Sequence, residues 1–459
     1  MMRSRICLPL TALLAVSACG GSYSGADDPE LDADVLALVQ TDSVSQPSDQ
    51  EEVDGRVALD AGFNEALRSA VLSSRSLESA VREFREAAAG IDVASSARRP
   101  QITGSATAGG IAEGSRDDVR TNLGASLDTS LRQLIYDGGE TSANIDAASA
   151  RAYAARAGIS ARGNEVGQAA ATAWIDLWQH STHLALLQER LREVRPLLDR
   201  IERLIAGGMV DRAALAGAER QILDIELEEE RLQASRDDAR NRFERYFGEA
   251  PNTVSAPPSL FARADLENMR ELWPEAPELV ASAAELVAAQ RDVDAAAAQR
   301  RPRISLSTGV NAPLSDQDDA QVTTGLFLEH TFGDGGRRRA EIEAREERLA
   351  ARQSDFDDAR DEARSDFESA LSQYSSLVSS LAVLEEQIEV LDVERETLRS
   401  QLASGQSSVR DLVESEILYY RALARQIELR AQRSRIEVML GSRTGALLPR
   451  LGIEPESLL

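Results

Sequence analysis

The chain has 459 residues with 51 basic and 77 acidic side chains, a net charge of −26. An excess of acid on this scale excludes nucleic-acid binding, which needs a basic face to meet phosphates. Aromatic residues are only 4% while alanine, leucine, glutamate and arginine dominate, the composition of long helices packed thinly on one another.

Arg3 and Arg5, the apolar run Leu8 to Ala15 and the small residues Val16-Ser17-Ala18 predict a secretory signal over residues 1–18, too short to span a bilayer as a helix. Cys19 follows, in a place that resembles the lipobox of bacterial lipoproteins. On that reading Cys19 becomes the acylated mature N-terminus, and Gly20 after it favours the outer membrane; the alternative is an ordinary signal with an incidental cysteine. Cys7 lies inside the signal, so the exported chain holds no disulfide. No later segment holds eighteen consecutive apolar residues, so any membrane passage has to be made by strands.

Residues 19–59 are acidic and serine-rich, a loosely docked leader. A first repeat, 60–247, opens with a helical pattern over 60–97 that ends at Arg98-Arg99-Pro100, where proline biases the preceding residue out of the helix. Two strands are predicted next, about 101–111 and 121–134, with the polar stretch EGSRDDVR between them. In the second, Leu123, Ala125, Leu127, Thr129 and Leu131 alternate with polar residues, one apolar and one wet face. After Asp137-Gly138-Gly139 the period changes to that of a helix. Leu184, Leu187, Leu191, Val194, Leu198, Ile201 and Ile205 step by three and four to about Ala206, a coiled-coil seam on a helix about 100 Å long. The alternative is a pair of shorter core helices kinked at Pro196. Gly207-Gly208 stops it, and a return helix runs from about Arg212 to Phe247.

Residues 248–276, interrupted by Pro251, Pro257, Pro258 and Pro274, read as a linker or equatorial region. A second repeat, 277–441, then rewrites the first: helix, Arg301-Pro302, strands about 303–311 and 321–332, Asp334-Gly335-Gly336, a long helix, Gly405 and a return helix. Residues 442–459 form a C-terminal tail. Asp137 and Asp334 are separated by 197 residues, and so are Gly208 and Gly405. A repeat this regular has to be read before any single motif.

Four strands of about bilayer length cannot sit in lipid with open edges, because every backbone N–H and C=O there has to be paired. Closure with copies is therefore expected, and three copies give about twelve strands, within the range of bacterial barrels. The junctions at Pro100, Pro302, Asp137-Gly138-Gly139 and Asp334-Gly335-Gly336 are then where the chain passes between water and lipid.

This order of elements (helix, RRP, strand, polar loop, strand, DGG turn, very long helix, glycine tip, return helix, all written twice) resembles the TolC family of outer-membrane efflux proteins after residue 60, and its lipoprotein members in particular. The resemblance implies a mainly α fold with a membrane β-barrel. Long antiparallel coiled-coil helices would form a periplasmic tunnel, and four strands per protomer would join a trimeric 12-stranded barrel. It further implies a passive exit duct of a tripartite efflux pump or type I secretion system in a Gram-negative outer membrane. The implied partners are a homotrimer, a periplasmic adaptor, an inner-membrane transporter of RND or ABC type and outer-membrane lipid.

At the tip, Asp411 and Glu414 lie three apart on one helix face. Copied three times around an axis they would form a ring attracting cations. By the resemblance they occupy the family's periplasmic constriction, although the arginine that helps lock the family's tip is Ser407 here, with Arg410 or Arg212 as substitutes. The plainer reading is an acidic start to a helix, favoured by its dipole. Gly208, Leu215, Gly405 and Leu412 are the expected adaptor contacts, with helix capping and core packing as the alternative.

Other chemistry is thin. Asp176, His180 and His183 share a helix face without a further firm ligand, so no metal site is expected. No nucleophile elbow, phosphate loop or cysteine cluster appears, so neither catalysis nor a cofactor is expected. The rival function is a non-spanning periplasmic coiled-coil lipoprotein scaffold, which would have no need of four alternating segments.

Overall fold

A computed structural model of the chain describes residues 62–115, 118–206, 212–313, 320–403 and 408–458, all within one compact unit, residues 56–459. The expected signal, Cys19, the leader and the tip residues Gly207, Gly208, Gly405 and Ser407 lie outside the described residues.

The helix expected over 60–97 is two helices, α1 (Phe63–Leu72) and α2 (Arg75–Ser96). Ser74 between them is extended, and its hydroxyl accepts the Ser76 amide, an N-cap that starts a new helix without any glycine or proline. Four strands follow the expected scheme with shifted ends: β1 (Gln101–Ser115), β2 (Asp118–Tyr136), β3 (Arg303–Pro313) and β4 (Gln321–Glu329). The first hairpin is longer than expected because pairing continues through Glu113↔Arg120 and Ser115↔Asp118, residues whose polarity reads as loop. β4 ends at Glu329, short of the expected 332.

The strands form one antiparallel sheet in the order β1-β2-β3-β4. Its register gathers side chains of one kind on one face, since directly paired residues point the same way. Ile102 lies opposite Leu131, Ala106 opposite Leu127, Leu306 opposite Leu326 and Val310 opposite Val322, giving an apolar face. The other face carries Thr103 opposite Ser130 and Ser307 opposite Gly325. There Asn311 donates to Asp128, and the Thr103 and Ser130 hydroxyls lie 2.8 Å apart. Among the described residues β1 and β4 are free edges.

Two very long helices, α3 (Glu140–Ala206) and α7 (Arg337–Ala403), have 67 residues each. Their ends are displaced by the same 197 residues that separate the sequence repeats. Pro196 lies inside α3 and does not end it, so the alternative of two shorter helices falls. The return helices are α4 (Arg212–Phe247) and α8 (Val409–Arg443), and α6 (Pro277–Ala298) is the counterpart of α2. Near the sheet the lateral order is α2-α3-α6-α7; toward the tips it is α4-α3-α8-α7. None of the described helices is long and apolar enough to cross a membrane.

Each hairpin is zipped by an apolar seam. Leu184, Leu187 and Leu191 of α3 meet Ile225 and Leu232 of α4, while Leu381, Leu384 and Leu391 of α7 meet Ala422 and Leu429 of α8. A third core lies midway along the long helices and gathers α1, Trp174 of α3, Phe243 and Phe247 of α4, and the C-terminal Leu447, Leu448, Leu451 and Ile453. Residues 248–276 are built into this core through Leu260, Phe261, a short helix α5 (Arg263–Asn268) and Met269. Trp174 Nε1 donates to the Ser255 carbonyl at 3.0 Å, and the buried Glu437 carboxylate accepts the Phe261 amide at 3.0 Å and the Ser259 hydroxyl. A short helix α9 (Leu447–Arg450) follows α8; its Leu448 lies where a Cβ on Gly163 of α3 would collide, and its Leu447 packs closely over Gly167.

Candidate functional site

Three places carry chemistry: the turns that join sheet to helix, the polar contacts between the helix hairpins, and the hairpin tips.

At the first turn the Asp137 carboxylate accepts the Gly139 amide at 3.0 Å and the Thr141 amide at 2.7 Å, so that it caps α3. Burial pushes its carboxyl up, but the Thr141 and Gly139 hydrogen bonds outweigh that and hold it below the usual carboxylate range. Asp334 does the same for α7 through Gly336 at 3.1 Å and Arg338 at 3.1 Å, one repeat later. Gly138 and Gly335 share a left-handed backbone, φ 72 and 66.

The two turns differ in what covers them. The second repeat's RRP segment lies on the first turn: Arg301 donates to the Gly138 carbonyl at 2.6 Å and Arg303 pairs with Glu140 at 2.7 Å. A Cβ on Gly138 would stand 2.5 Å from the Arg301 Cβ, whereas at Gly335 nothing lies within 4 Å. Pro100 and Pro302 directly precede β1 and β3.

Between the hairpins, polar contacts add to the buried apolar ones. Arg435 of α8 places its guanidinium on Asp176 of α3 and also donates to Gln179; Arg242 of α4 reaches Asp176 at 3.4 Å. Further toward the tip the Tyr420 hydroxyl of α8 donates to Glu228 of α4 at 3.2 Å and lies 3.1 Å from His183 Nε2 of α3. Arg190 of α3 stacks on the Tyr420 ring, 4.3 Å from its centroid. Closest to the tip, Arg395 and Arg399 of α7 share Glu193 of α3 and Glu416 of α8, Arg399 meeting Glu416 at 2.8 Å. Arg395 is nearly buried and stacks on Tyr419. His183 and Arg190 of α3, Glu228 of α4 and Tyr420 of α8 line a cavity of about 620 Å³ between these helices.

Asp176 and His183 are thus engaged with arginine and tyrosine, and among the described residues no group of three or more metal-ligating side chains gathers. Burial lowers both His180 and His183 below the ordinary histidine range.

At the tip, Ser408 caps α8. Its hydroxyl accepts the Asp411 amide at 3.2 Å, and the Asp411 carboxylate accepts the Ser408 amide at 3.4 Å, a capping box. Asp411 and Glu414 are exposed, while Leu412 is fully buried. Leu215 lies in α4, but its side chain is outside the described residues, as are the tip glycines. The polar ties between hairpins were not foreseen as a set. Their one sequence signal was Arg395, a charge standing where the leucine seam of α7 skips from Leu391 to Leu398.

Comparison with known proteins gives one consistent result. The sequence profile of the outer membrane efflux protein family matches residues 66–249 and 269–446, well over half the chain. Outer membrane efflux protein BepC of Brucella suis biovar 1 is 23% identical over 380 residues, 79% of this chain and 80% of that protein. The solved structure of CusC, described as undergoing conformational changes on folding and transmembrane channel formation, superposes with a TM-score of 0.74 at 18% identity, covering 85% of this chain and 92% of that one. The outer membrane protein VceC of Vibrio cholerae superposes at 0.73 and 17% identity, covering 85% and 96%.

Proposed function

The chain belongs to the outer membrane efflux protein family, whose members are channels rather than non-spanning scaffolds, and on that premise we propose that three copies close one duct through the outer membrane and periplasm. The observation that carries this reading is that the open edges of the protomer run its whole length on the same two sides. β1 and β4 end the sheet, α2 and α7 end the upper helical layer, and α4 and α7 end the lower one. A head-to-tail contact between unlike edges closes a ring. The uncovered turn at Gly335 fits the same scheme, because its first-repeat counterpart is covered by Arg301 and the Arg98-Arg99-Pro100 segment of another copy is the equivalent group.

The sheet's apolar face, with Ile102, Val322, Leu326 and Leu328 largely exposed, then meets lipid, and the threonine, serine and asparagine face lines the lumen. Cys19 acylated after signal cleavage adds an anchor to the same membrane. The tips point into the periplasm, where Asp411 and Glu414 from three protomers narrow the mouth. Gly208, Leu215, Gly405 and Leu412 form the contact for a periplasmic adaptor that joins the duct to an inner-membrane transporter of RND or ABC type. Such an assembly serves an efflux pump or a type I secretion system, with energy supplied by the transporter. The duct is passive and carries no catalytic group.

The test is conductance of the purified protein in planar bilayers. Replacing Asp411→Ala with Glu414→Ala raises conductance and weakens block by multivalent cations on this reading; unchanged conductance and block would take both residues out of the constriction.

A further inference from the structure

Each long helix lays one arginine on a tyrosine of α8. Arg395 of α7 stacks 4.3 Å from the centroid of the Tyr419 ring, and Arg190 of α3 stacks 4.3 Å from that of Tyr420. Their counter-charges differ. Arg395 has Asp392 at 2.7 Å, Glu396 at 3.5 Å, Glu416 at 3.6 Å and Glu193 at 3.7 Å. Arg190 is only 8% exposed, yet its Nε has no hydrogen-bond partner, and among the described residues no carboxylate forms an ion pair with it. Glu228 and Glu416 act on it only from beyond that distance. A guanidinium stays charged, and burying one without a counter-ion is costly. Nothing in the hairpin architecture requires it, since the residue 197 places later, on α7, is Gln387, beside an equally apolar seam.

Arg190 borders the cavity of about 620 Å³ between α3, α4 and α8, and so does Arg421 of α8. Arg421 also forms no ion pair among the described residues, and it stands near enough to Arg190 for the two like charges to repel. The carboxylates of the lining do not answer them. Glu228 accepts the Tyr420 hydroxyl, Glu428 holds Arg425, and Asp224 of α4 pairs with neither arginine. We infer that this cavity is a binding site for a small organic acid, whose carboxylate bridges Arg190 and Arg421. A carboxylate brings what the two groups lack, an opposite charge and oxygens that accept the paired N–H donors of a planar guanidinium. The cavity is of the size of small-molecule sites and exceeds what a bare ion fills. For the body of the acid, Gln179 offers an amide while Ile417 and Ala424 offer hydrocarbon. All the walls come from three helices of one chain, so the site is complete in a single protomer and stands apart from the trimeric reading. Neither Asp411 nor Glu414 at the tip borders it.

The experiment follows thermal denaturation of the full chain in mild detergent, at constant ionic strength, with sodium malate, sodium phosphate or sodium chloride. Millimolar malate raises the melting temperature by several degrees over chloride, as a ligand of the folded state does, and phosphate leaves it unchanged. Arg190→Gln, which copies the residue at the matching place on α7, abolishes the malate shift. Arg421→Gln lies on the surface and serves if the first variant does not fold. It raises the malate concentration needed about tenfold, the loss of one charged hydrogen bond. No malate shift in the parent, or a shift that Arg421→Gln keeps in full at the same concentrations, overturns the inference. A phosphate shift as large as that of malate overturns the organic acid as occupant and puts an inorganic oxyanion in its place.

Discussion

Arg435 of α8 and Asp176 of α3 meet through two guanidinium nitrogens on one carboxylate oxygen, at 3.1 and 2.7 Å, across the junction of the two hairpins. Asp176 is nearly buried, so removing its partner leaves a carboxylate held only by Arg242. Arg435→Ala is expected to destabilise the helical body by about 1–3 kcal/mol, the usual loss for a charged hydrogen bond. Thermal denaturation followed by circular dichroism measures it, and Arg435→Lys should recover only part, because a point charge cannot reproduce the paired donors.

The sheet-to-helix turns set a second expectation. Gly138 has a left-handed backbone, and a side chain there would collide with Arg301. Gly138→Ala should therefore cost more than Gly335→Ala, where only the backbone strain of about 1–2 kcal/mol acts within one chain. Asp137→Ala, which uncaps α3, should cost about 1 kcal/mol. Hydrogen exchange at the first turn of α3 reads the loss locally.

The histidines set a pH expectation. His180 and His183 lie below the ordinary histidine value of 6.5 because burial disfavours their charged form. The unfolded chain therefore takes up protons first as pH falls through about 6.5, and stability drops over the window between that value and the lower folded values. Around His183 stand Glu228 and Asp224 of α4, Arg190 of α3, and Tyr420, Arg421, Arg425 and Glu428 of α8. Melting temperature should fall between about pH 7 and pH 5, and His180→Gln with His183→Gln should flatten that dependence. A slope that persists undiminished in the double variant would assign it to other groups.

Glu437 gives the opposite sign. Burial raises its carboxyl against the hydrogen bonds from Ser259 and Phe261. A proton retained in the folded state means stability lost as pH rises through the unfolded value of 4.5. Glu437→Ala leaves the Phe261 amide unpaired in the core and should cost about 1–3 kcal/mol, with residues 255–261 becoming open to protease.

How far the sequence carried depends on the kind of signal. The 197-residue displacement fixed both long helices, because an internal repeat compares the chain with itself and needs no propensity scale. Strand alternation put Leu127 and Leu131 on one face, and the register carries that face across to Leu306 and Val310. The break at Ser73–Ser74 was hidden because a serine cap looks like any exposed helix residue. The packing of residues 248–276 was hidden because prolines suggested a linker, while the anchors, Trp174 and Glu437, lie far away in sequence. The hairpin ties were illegible for a similar reason: His183, Arg190 and Tyr420 alone each look like part of a solvated stripe, and only their convergence from three helices gives them a role.

The most direct measurement concerns the sheet. Single cysteines at Leu127, Val310 and Leu326 on one face, and at Ser307 and Thr323 on the other, are introduced into the protein in native outer membranes. The account predicts that the first three react with a lipid-soluble thiol reagent and resist a charged one, while the other two react with the charged reagent from the lumen. Equal reaction of all five with the charged reagent would contradict a sheet that crosses lipid.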